Sequence, residues 1–306
     1  MPIAPNQALA AVEAPPIQPP TVGLIPSLEG TPYLIDGFEA PADQNDPSPQ
    51  RYIGGVQYLP EQYEGGVFGA LDPCNLQGGA EFMDPPANPG LIASMPFVVW
   101  AGDRCRSIGY PAHDFQGRAQ RALLATESKQ IAHELWTGRQ TQLSGWPNPF
   151  LASAATQVVT SAAVTPADAL SILEEAIAEL SNGQQAMIHC TRQMGSALSE
   201  LGNTFRSIDG TIRTYMDSII CPDAGYPGTG PAGQAAGATQ WAYVTLLPTV
   251  RRGPIEIIPG SFEEATNRST NEIDWRAIRY CTADFPDAAV AAAEVSLPMP
   301  FGLVAS

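Results

Sequence analysis

Three observations predict an α+β protein. Two long segments carry an apolar stripe at helical spacing, each with a capping residue in front and glycine behind. Short apolar runs of strand character lie between and after them, without the regular strand–helix alternation of a parallel sheet. A proline-rich N-terminal third carries neither pattern.

That third, residues 1–97, holds 17 of the 30 prolines and 11 acidic residues against one basic residue, Arg51. Proline fixes φ and removes a backbone donor, so Ala14-Pro15-Pro16 and Gln18-Pro19-Pro20 favour extended chain over helix or central strand. Alone, such a segment buries too little apolar surface to offset the entropy of ordering. It is therefore expected to be held from outside, most simply by a neighbouring subunit. Residues 1–50 contain no Lys or Arg and only scattered anchors, Ile17, Val22, Leu24, Ile25, Leu28, Tyr33, Leu34 and Ile35. On an extended chain these are expected to enter a neighbour's groove and not to meet one another. From 51 to 96, the pairs Gly54-Gly55, Gly65-Gly66 and Gly78-Gly79 alternate with Tyr52, Tyr58, Tyr63 and Phe68, which reads as a long β-hairpin or flap.

Phe97-Val98-Val99-Trp100 is a β run. Asp114 can cap a helix that runs without Pro or Gly from Arg118 to Trp136 and stops at Gly138. At about 23 residues it spans about 35 Å. Ala119, Ala122, Leu123, Leu124, Ile131 and Leu135 form its apolar stripe, leaving Arg118, Arg121, Glu127, Lys129 and Glu134 for solvent or for ion pairs with a partner. Thr165-Pro166-Ala167-Asp168 opens a second helix, with Leu170, Leu173, Ile177 and Leu180 on one face and Asn182-Gly183 at its end. A buried strand (186–190), a short helix (193–201), an alternating strand (211–220) and a Gly/Pro loop (221–239) follow. Further strands are expected near 241–247, 255–258, 273–282 and 288–297.

The 306 residues make room for one large domain or two ordinary ones. A net charge of −16 argues against a nucleic-acid reader, though not against a wall that encloses nucleic acid. Met1-Pro2-Ile3-Ala4 shows no secretory pattern, and no apolar run is long enough to cross a bilayer. Cys74, Cys105, Cys190, Cys221 and Cys281 are scattered without a C-x-x-C, as in reduced cytoplasmic proteins.

No motif argues for catalysis. Gly225-Tyr226-Pro227-Gly228-Thr229-Gly230-Pro231 resembles a phosphate cradle only loosely. It lacks Gly-Lys-Ser/Thr, and its two prolines remove amide donors, so it reads as a surface turn. His133-Glu134 lacks a second His four residues on, and Glu127 and His133 lie on different helix faces, so no metal is expected there. His189-Cys190 alternates across a strand and reads as structural. Cys105 lies between Arg104 and Arg106, but no base is near in sequence. The pairs Glu174-Glu175 and Glu263-Glu264 read as solvated charge, and G-x-S-x-G is absent. No cofactor is expected.

Two segments resemble the major capsid proteins of tailed bacteriophages, with the Hong Kong 97-type fold that encapsulin shells share. One runs from Pro96-Phe97-Val98-Val99-Trp100 through Cys105 and Gly109 into the helix with Arg118-Ala119, Leu123, Glu127 and Leu135-Trp136-Thr137-Gly138. It looks like the strand leading into the family's spine helix. The other runs from Thr165-Pro166-Ala167-Asp168 through Met187-Ile188-His189, Gly210-Thr211 and the Gly225–Pro231 run to Trp241, and is similar to the axial domain of capsid proteins from actinobacterial phages.

The resemblance implies an N-terminal arm (1–50), an extended loop (51–96), a peripheral domain (97–164) with a spine helix at 114–137, an axial domain (165–265), and return strands with a tail (266–306). It implies a non-enzymatic shell protein of the virion, assembled in the host cytoplasm from pentamers and hexamers of itself. Scaffolding, portal and decoration proteins are partners of such shells, and DNA is enclosed without sequence-specific binding. Inter-subunit contacts are expected at Ile17, Leu24, Ile25, Tyr33, Leu34, Tyr58, Phe68, Arg118, Arg121, Glu127, Lys129 and Glu134. The alternatives are an encapsulin-like compartment and another virion part.

Overall fold

A computed structural model describes residues 16–37, 55–59, 91–106, 114–234, 239–270, 272–286 and 289–297. In chain order the first elements are α1 (Leu24–Leu28), β1 (Leu34–Asp36), β2 (Val56–Tyr58), β3 (Ile92–Ser94), β4 (Phe97–Arg106), α2 (Phe115–Thr137) and α3 (Arg139–Ser144). Then come β5 (Gln157–Val158), α4 (Pro166–Ser181), β6 (Ala186–Thr191), α5 (Arg192–Glu200), β7 (Thr204–Arg206), β8 (Ile212–Thr214) and β9 (Ile219–Asp223). The last are β10 (Thr239–Leu246), β11 (Thr249–Arg252), β12 (Glu256–Ile258), α6 (Phe262–Ala265), β13 (Thr266–Asn267), β14 (Glu272–Asp284) and β15 (Val290–Ser296). The described residues fall into two compact units, one drawn from 16–20, 99–127 and 255–279, the other from 21–98, 128–254 and 280–297.

The larger unit is built on a seven-stranded sheet in the order β5-β15-β10-β6-β9-β8-β7. β10 runs antiparallel to β15 and to β6, and β6 runs parallel to β9. Helix α4 begins where the sequence places its cap. The Thr165 Oγ1 accepts the Asp168 N–H, Pro166 occupies the first turn, and Asn182 ends the helix in the left-handed region. Its apolar stripe, Ala169, Leu170, Leu173 and Ile177, packs on Ile188 of β6, Val244 of β10 and Ala291 and Val295 of β15. Met194 and Leu198 of α5 join that core. The opposite face of the central strands is buried too, since Met187, His189, Tyr243 and Thr245 are all inaccessible. A strand covered on both faces loses the polar alternation of a half-exposed one, and β6 is accordingly buried along five residues.

In the same unit β1 pairs parallel with β11, and β11 pairs antiparallel with the last residues of β14. β2 and β3 form a short antiparallel ladder, Val56 opposite Ser94 and Tyr58 opposite Ile92. That ladder is the described base of the expected flap; the rest of the flap, including Phe68, lies outside the described residues.

The smaller unit holds β12 and β13, both antiparallel to the first part of β14, which β4 also joins. Ile273, Trp275 and Ala277 alternate inward along β14 while Arg276 points outward. The first half of α2 opens on Asp114, whose Oδ1 accepts the Gly117 N–H at 2.8 Å, and buries Phe115, Ala119 and Leu123.

Three expectations need correction. Residues 211–220 are not one strand: β8 stops at Thr214, and Asp217 turns the chain at φ 68° before β9. The expected loop from 221 begins as the end of β9, and Gly225, Tyr226, Gly228 and Gly230 are buried, so this run is no surface turn. The arm anchors do meet their own chain: Leu24 and Leu28 are fully buried in the larger unit, and β1 adds a strand to it. A one-turn helix stacks two leucines four residues apart at about 6 Å on one side, where an extended strand would hold them about 13 Å apart.

Candidate functional site

The seat of the arm is built around one buried carboxylate. Asp223, at the end of β9, accepts the Leu24 N–H at 2.8 Å and the Ser128 hydroxyl at 3.0 Å through Oδ2. Its Oδ1 accepts the Gly225 N–H at 2.7 Å. Ser128 in turn accepts the Ile25 N–H at 3.2 Å. The first amides of a helix have no partner within it, so α1 has its opening N–H groups satisfied by side chains far away in sequence. Gly23 sits at φ 146°, and a Cβ there would lie 2.3 Å from Asp223 Oδ2. Only glycine brings the chain this close. Thirteen residues on, Asp36 holds Arg252 in a two-pronged pair, 2.6 Å to Nε and 2.7 Å to a terminal nitrogen.

Beneath the sheet lies a buried aromatic and polar junction. The Trp136 indole packs edge-on against Tyr243 at 4.7 Å and tilted against Tyr226 at 5.0 Å. Trp136 Nε1 and the Tyr243 hydroxyl both donate to the Thr229 carbonyl, at 3.1 and 3.0 Å. The Gly225–Pro231 run is thus a packed strut: a Cβ on Gly225 would meet the Lys129 carbonyl at 2.1 Å. His189 lies between the Tyr226 hydroxyl at 2.7 Å and Thr245 Oγ1 at 3.0 Å. Thr245 gives its only proton to the Leu246 carbonyl, so His189 Nε2 is the protonated nitrogen and Nδ1 accepts from Tyr226. Burial alone lowers the His189 pKa to about 3. It also pushes the Cys190 thiol up to about 12 and raises Cys221 and Tyr226 well above their ordinary values. The imidazole stays neutral and the thiols and phenol stay protonated: these are packing groups, held in unreactive forms.

The base of the flap is fastened in two places. Asn148 clamps the turn after β3, accepting the Met95 N–H at 2.7 Å and donating to the Met95 carbonyl at 2.7 Å. Asp284, fully buried, pairs with Arg251 at 2.6 Å, and the Arg251 guanidinium lies 5.8 Å from the Tyr58 ring centre. Burial raises the Asp284 pKa against the pull of Arg251, Tyr58 and Ser94.

The expected contact residues divide sharply. Ile17 and Lys129 are exposed, and Tyr33 is at the edge of exposure. Leu34 and Tyr58 are half-buried. Arg118 pairs with Asp103 at 2.7 Å and Arg121 lies 3.5 Å from Asp114, all in the smaller unit. Leu24 and Ile25 face the interior of their own chain. Glu127 and Glu134, expected on the solvent side, are buried. Glu127 holds Arg279 at 2.8 Å, and Glu134 accepts the Gln140 and Thr141 N–H groups at 3.0 Å, capping α3. The helix is covered on more than one face, and a one-stripe reading misses that. Asp223, Ser128 and Asn148 were not singled out from the sequence, since their partners lie tens to hundreds of positions away. Among the described residues no group of three or more His, Cys, Asp or Glu could hold a metal ion, and no helix is long and apolar enough to cross a membrane.

No protein-family model and no curated protein matches the chain. Solved structures do. The capsid of a native GTA particle is similar over 96% of this chain and 95% of its own, at 12% identity and TM-score 0.54. The capsid of Ralstonia phage GP4 is similar over 97% of both chains, at 10% identity and TM-score 0.54. The chain has the Hong Kong 97-type capsid fold. An encapsulin from Synechococcus elongatus is more loosely similar, over 74% of this chain and 82% of its own, at 14% identity and TM-score 0.46. α2 (Phe115–Thr137) lies where the sequence predicts the long helix.

Proposed function

We propose that this chain is the major capsid protein of a tailed phage: copies of it close into an icosahedral head of pentamers and hexamers around double-stranded DNA. The observation that carries the reading is reciprocal cover. The match covers 96% of this chain and 95% of a capsid chain, so the capsid fold accounts for nearly all of the sequence. The buried His189, Cys190, Cys221 and Tyr226 fit a protein that performs no chemistry. The acidic composition fits a wall that encloses DNA without gripping its phosphates. In this reading residues 1–50 are the arm, 51–96 the extended loop, 97–164 with 266–306 the peripheral domain, and 165–265 the axial domain. Ile17, Tyr33 and Lys129 are the expected contact residues that stand exposed to neighbours. Scaffolding, portal and decoration proteins complete the particle, which assembles in the host cytoplasm.

Expression of the chain alone, followed by negative-stain electron microscopy and sedimentation, tests this. Closed particles of uniform size are expected. A monodisperse monomer across salt and protein concentrations overturns it.

A further inference from the structure

Large apolar side chains are exposed in one short stretch of the larger unit. Leu201, Phe205, Ile208, Tyr215 and Met216 all stand in solvent within 16 residues, with Ile208 fully exposed at the β7–β8 turn. Soluble monomers seldom leave such a cluster uncovered. Phe205 and Tyr215 brace each other at 5.7 Å, so the hairpin is a formed surface. β7 is the outermost strand of the seven-stranded sheet. Beside it, α4 and the turn after β8 border a groove of about 690 Å³ lined by Leu170, Ile177, Glu175, Tyr215 and Met216.

The charges on these two features are complementary and unused. Arg206 on the hairpin is exposed; its Nε donates to the Gly210 carbonyl, and it makes no ion pair among the described residues. Glu175 in the groove is likewise exposed and unpaired among the described residues. Four charges beside them, Glu174, Asp209, Arg213 and Asp217, are by contrast engaged. Glu174 accepts the Thr214 and Ser218 hydroxyls at 2.6 and 2.7 Å, and Asp209 and Asp217 both hold Arg213.

We propose that the β7–β8 hairpin of one copy docks into the α4 groove of the next, with Ile208 against Tyr215 and Met216 and Arg206 facing Glu175. The occupant is a second copy of this chain, because one chain carries both the cationic apolar tip and the anionic apolar groove. A two-fold contact is disfavoured: hairpin on hairpin sets Arg206 against Arg206, and groove on groove sets Glu175 against Glu175. The complementary contact is head to tail, the kind that closes rings. The proposal rests on the shell reading, since it assigns that shell a contact within its rings.

Charge reversal tests it, read by native mass spectrometry for rings and by electron microscopy for shells. Glu175→Arg and Arg206→Glu are each expected to lower ring yield about tenfold, and the double reversal to restore it to within about twofold. Ile208→Asp, at a side chain that packs on nothing in its own chain, should abolish rings with the circular dichroism spectrum unchanged. Single reversals that form rings at unchanged yield, or a double no better than the singles, overturn the contact. Wild-type rings that never close into shells overturn the shell reading and leave the contact standing; a wild-type monomer overturns both.

Discussion

Asp223 accepts the backbone N–H of Leu24 at 2.8 Å, joining residues 199 positions apart in the sequence. With Ser128 it gives the entry of α1 two buried acceptors, so the middle of the proline-rich third is part of its own chain's core. Removing the carboxylate strands up to three donors, those of Leu24, Ser128 and Gly225. A buried donor left unsatisfied costs roughly 1–3 kcal/mol, so Asp223→Ala should lower stability by about 3 kcal/mol. Gly23→Ala should cost about 2 kcal/mol from the left-handed backbone and the close approach to Asp223. Guanidinium titrations measure both, and a change below about 0.5 kcal/mol in either variant contradicts this account of the seat.

Truncation separates anchoring from reach. Deleting residues 1–20 removes Ile17, which is exposed, and should leave the denaturation midpoint near that of the whole chain. Deleting 1–37 uncovers the sites of Leu24 and Leu28, strips β1 from β11 and frees Arg252 from Asp36. Two fully buried leucines alone contribute about 3–6 kcal/mol, so the longer deletion should destabilise the core by at least that range. Equal midpoints for the two truncations would refute the anchoring.

The Glu127–Arg279 pair calls for a double-mutant cycle. Both side chains are withdrawn from water, so Glu127→Met or Arg279→Met alone leaves a buried charge and should cost about 3–5 kcal/mol. Replacing both at once should cost less than either single change. An additive cycle would mean that the two groups do not act on each other.

What the sequence made legible, and what it hid, follows from the range of the interactions. The α4 boundaries could be read because Thr165, Pro166 and Asn182 act within one turn of the residues they cap. The extent of α2 was readable for the same reason, with Asp114 in front and Gly138 behind. Glu127 was misread because its partner, Arg279 of β14, arrives 152 positions later, and Glu134 because it turns to cap α3 just beyond the helix end. The Gly225–Pro231 run was misread because glycine signals a loop and a close backbone approach equally well, and only the helix beneath it decides between them. The Arg206 and Glu175 surfaces had no sequence signal apart from charge, and charge alone does not tell a solvated residue from a docking one.

Particles should contain no lysine-based covalent cross-links. The chain has one lysine, Lys129, and none in the loop 51–96. Lys129 is exposed in mid-helix on α2, whose backbone is held by the Gly225 strut, so it has no freedom to travel to a distant acceptor. Boiled mature particles on a denaturing gel should give a single band near 32.4 kDa. A ladder of covalent multimers that survives reducing agent would refute this.

His189 should make stability fall with acid in a defined window. Its folded pKa is about 3, lowered by burial, against an ordinary value near 6.5 in the unfolded chain. Between those two values the unfolded chain binds a proton that the folded chain refuses. Stability therefore rises with pH through the window and is flat in this group above about pH 7. One proton sets a slope of at most about 1.4 kcal/mol per pH unit, which accumulates to several kcal/mol by pH 4. Carboxylates titrate in the lower part of the same window, so the measurement is a comparison between variants. His189→Gln keeps a polar side chain between Tyr226 and Thr245 but cannot take up the proton. Its denaturation free energy, measured from pH 7.5 to 4, should decline less steeply than that of the unmodified chain, by close to one proton's worth between pH 6 and 4. Parallel curves would show that His189 is not held neutral by the fold.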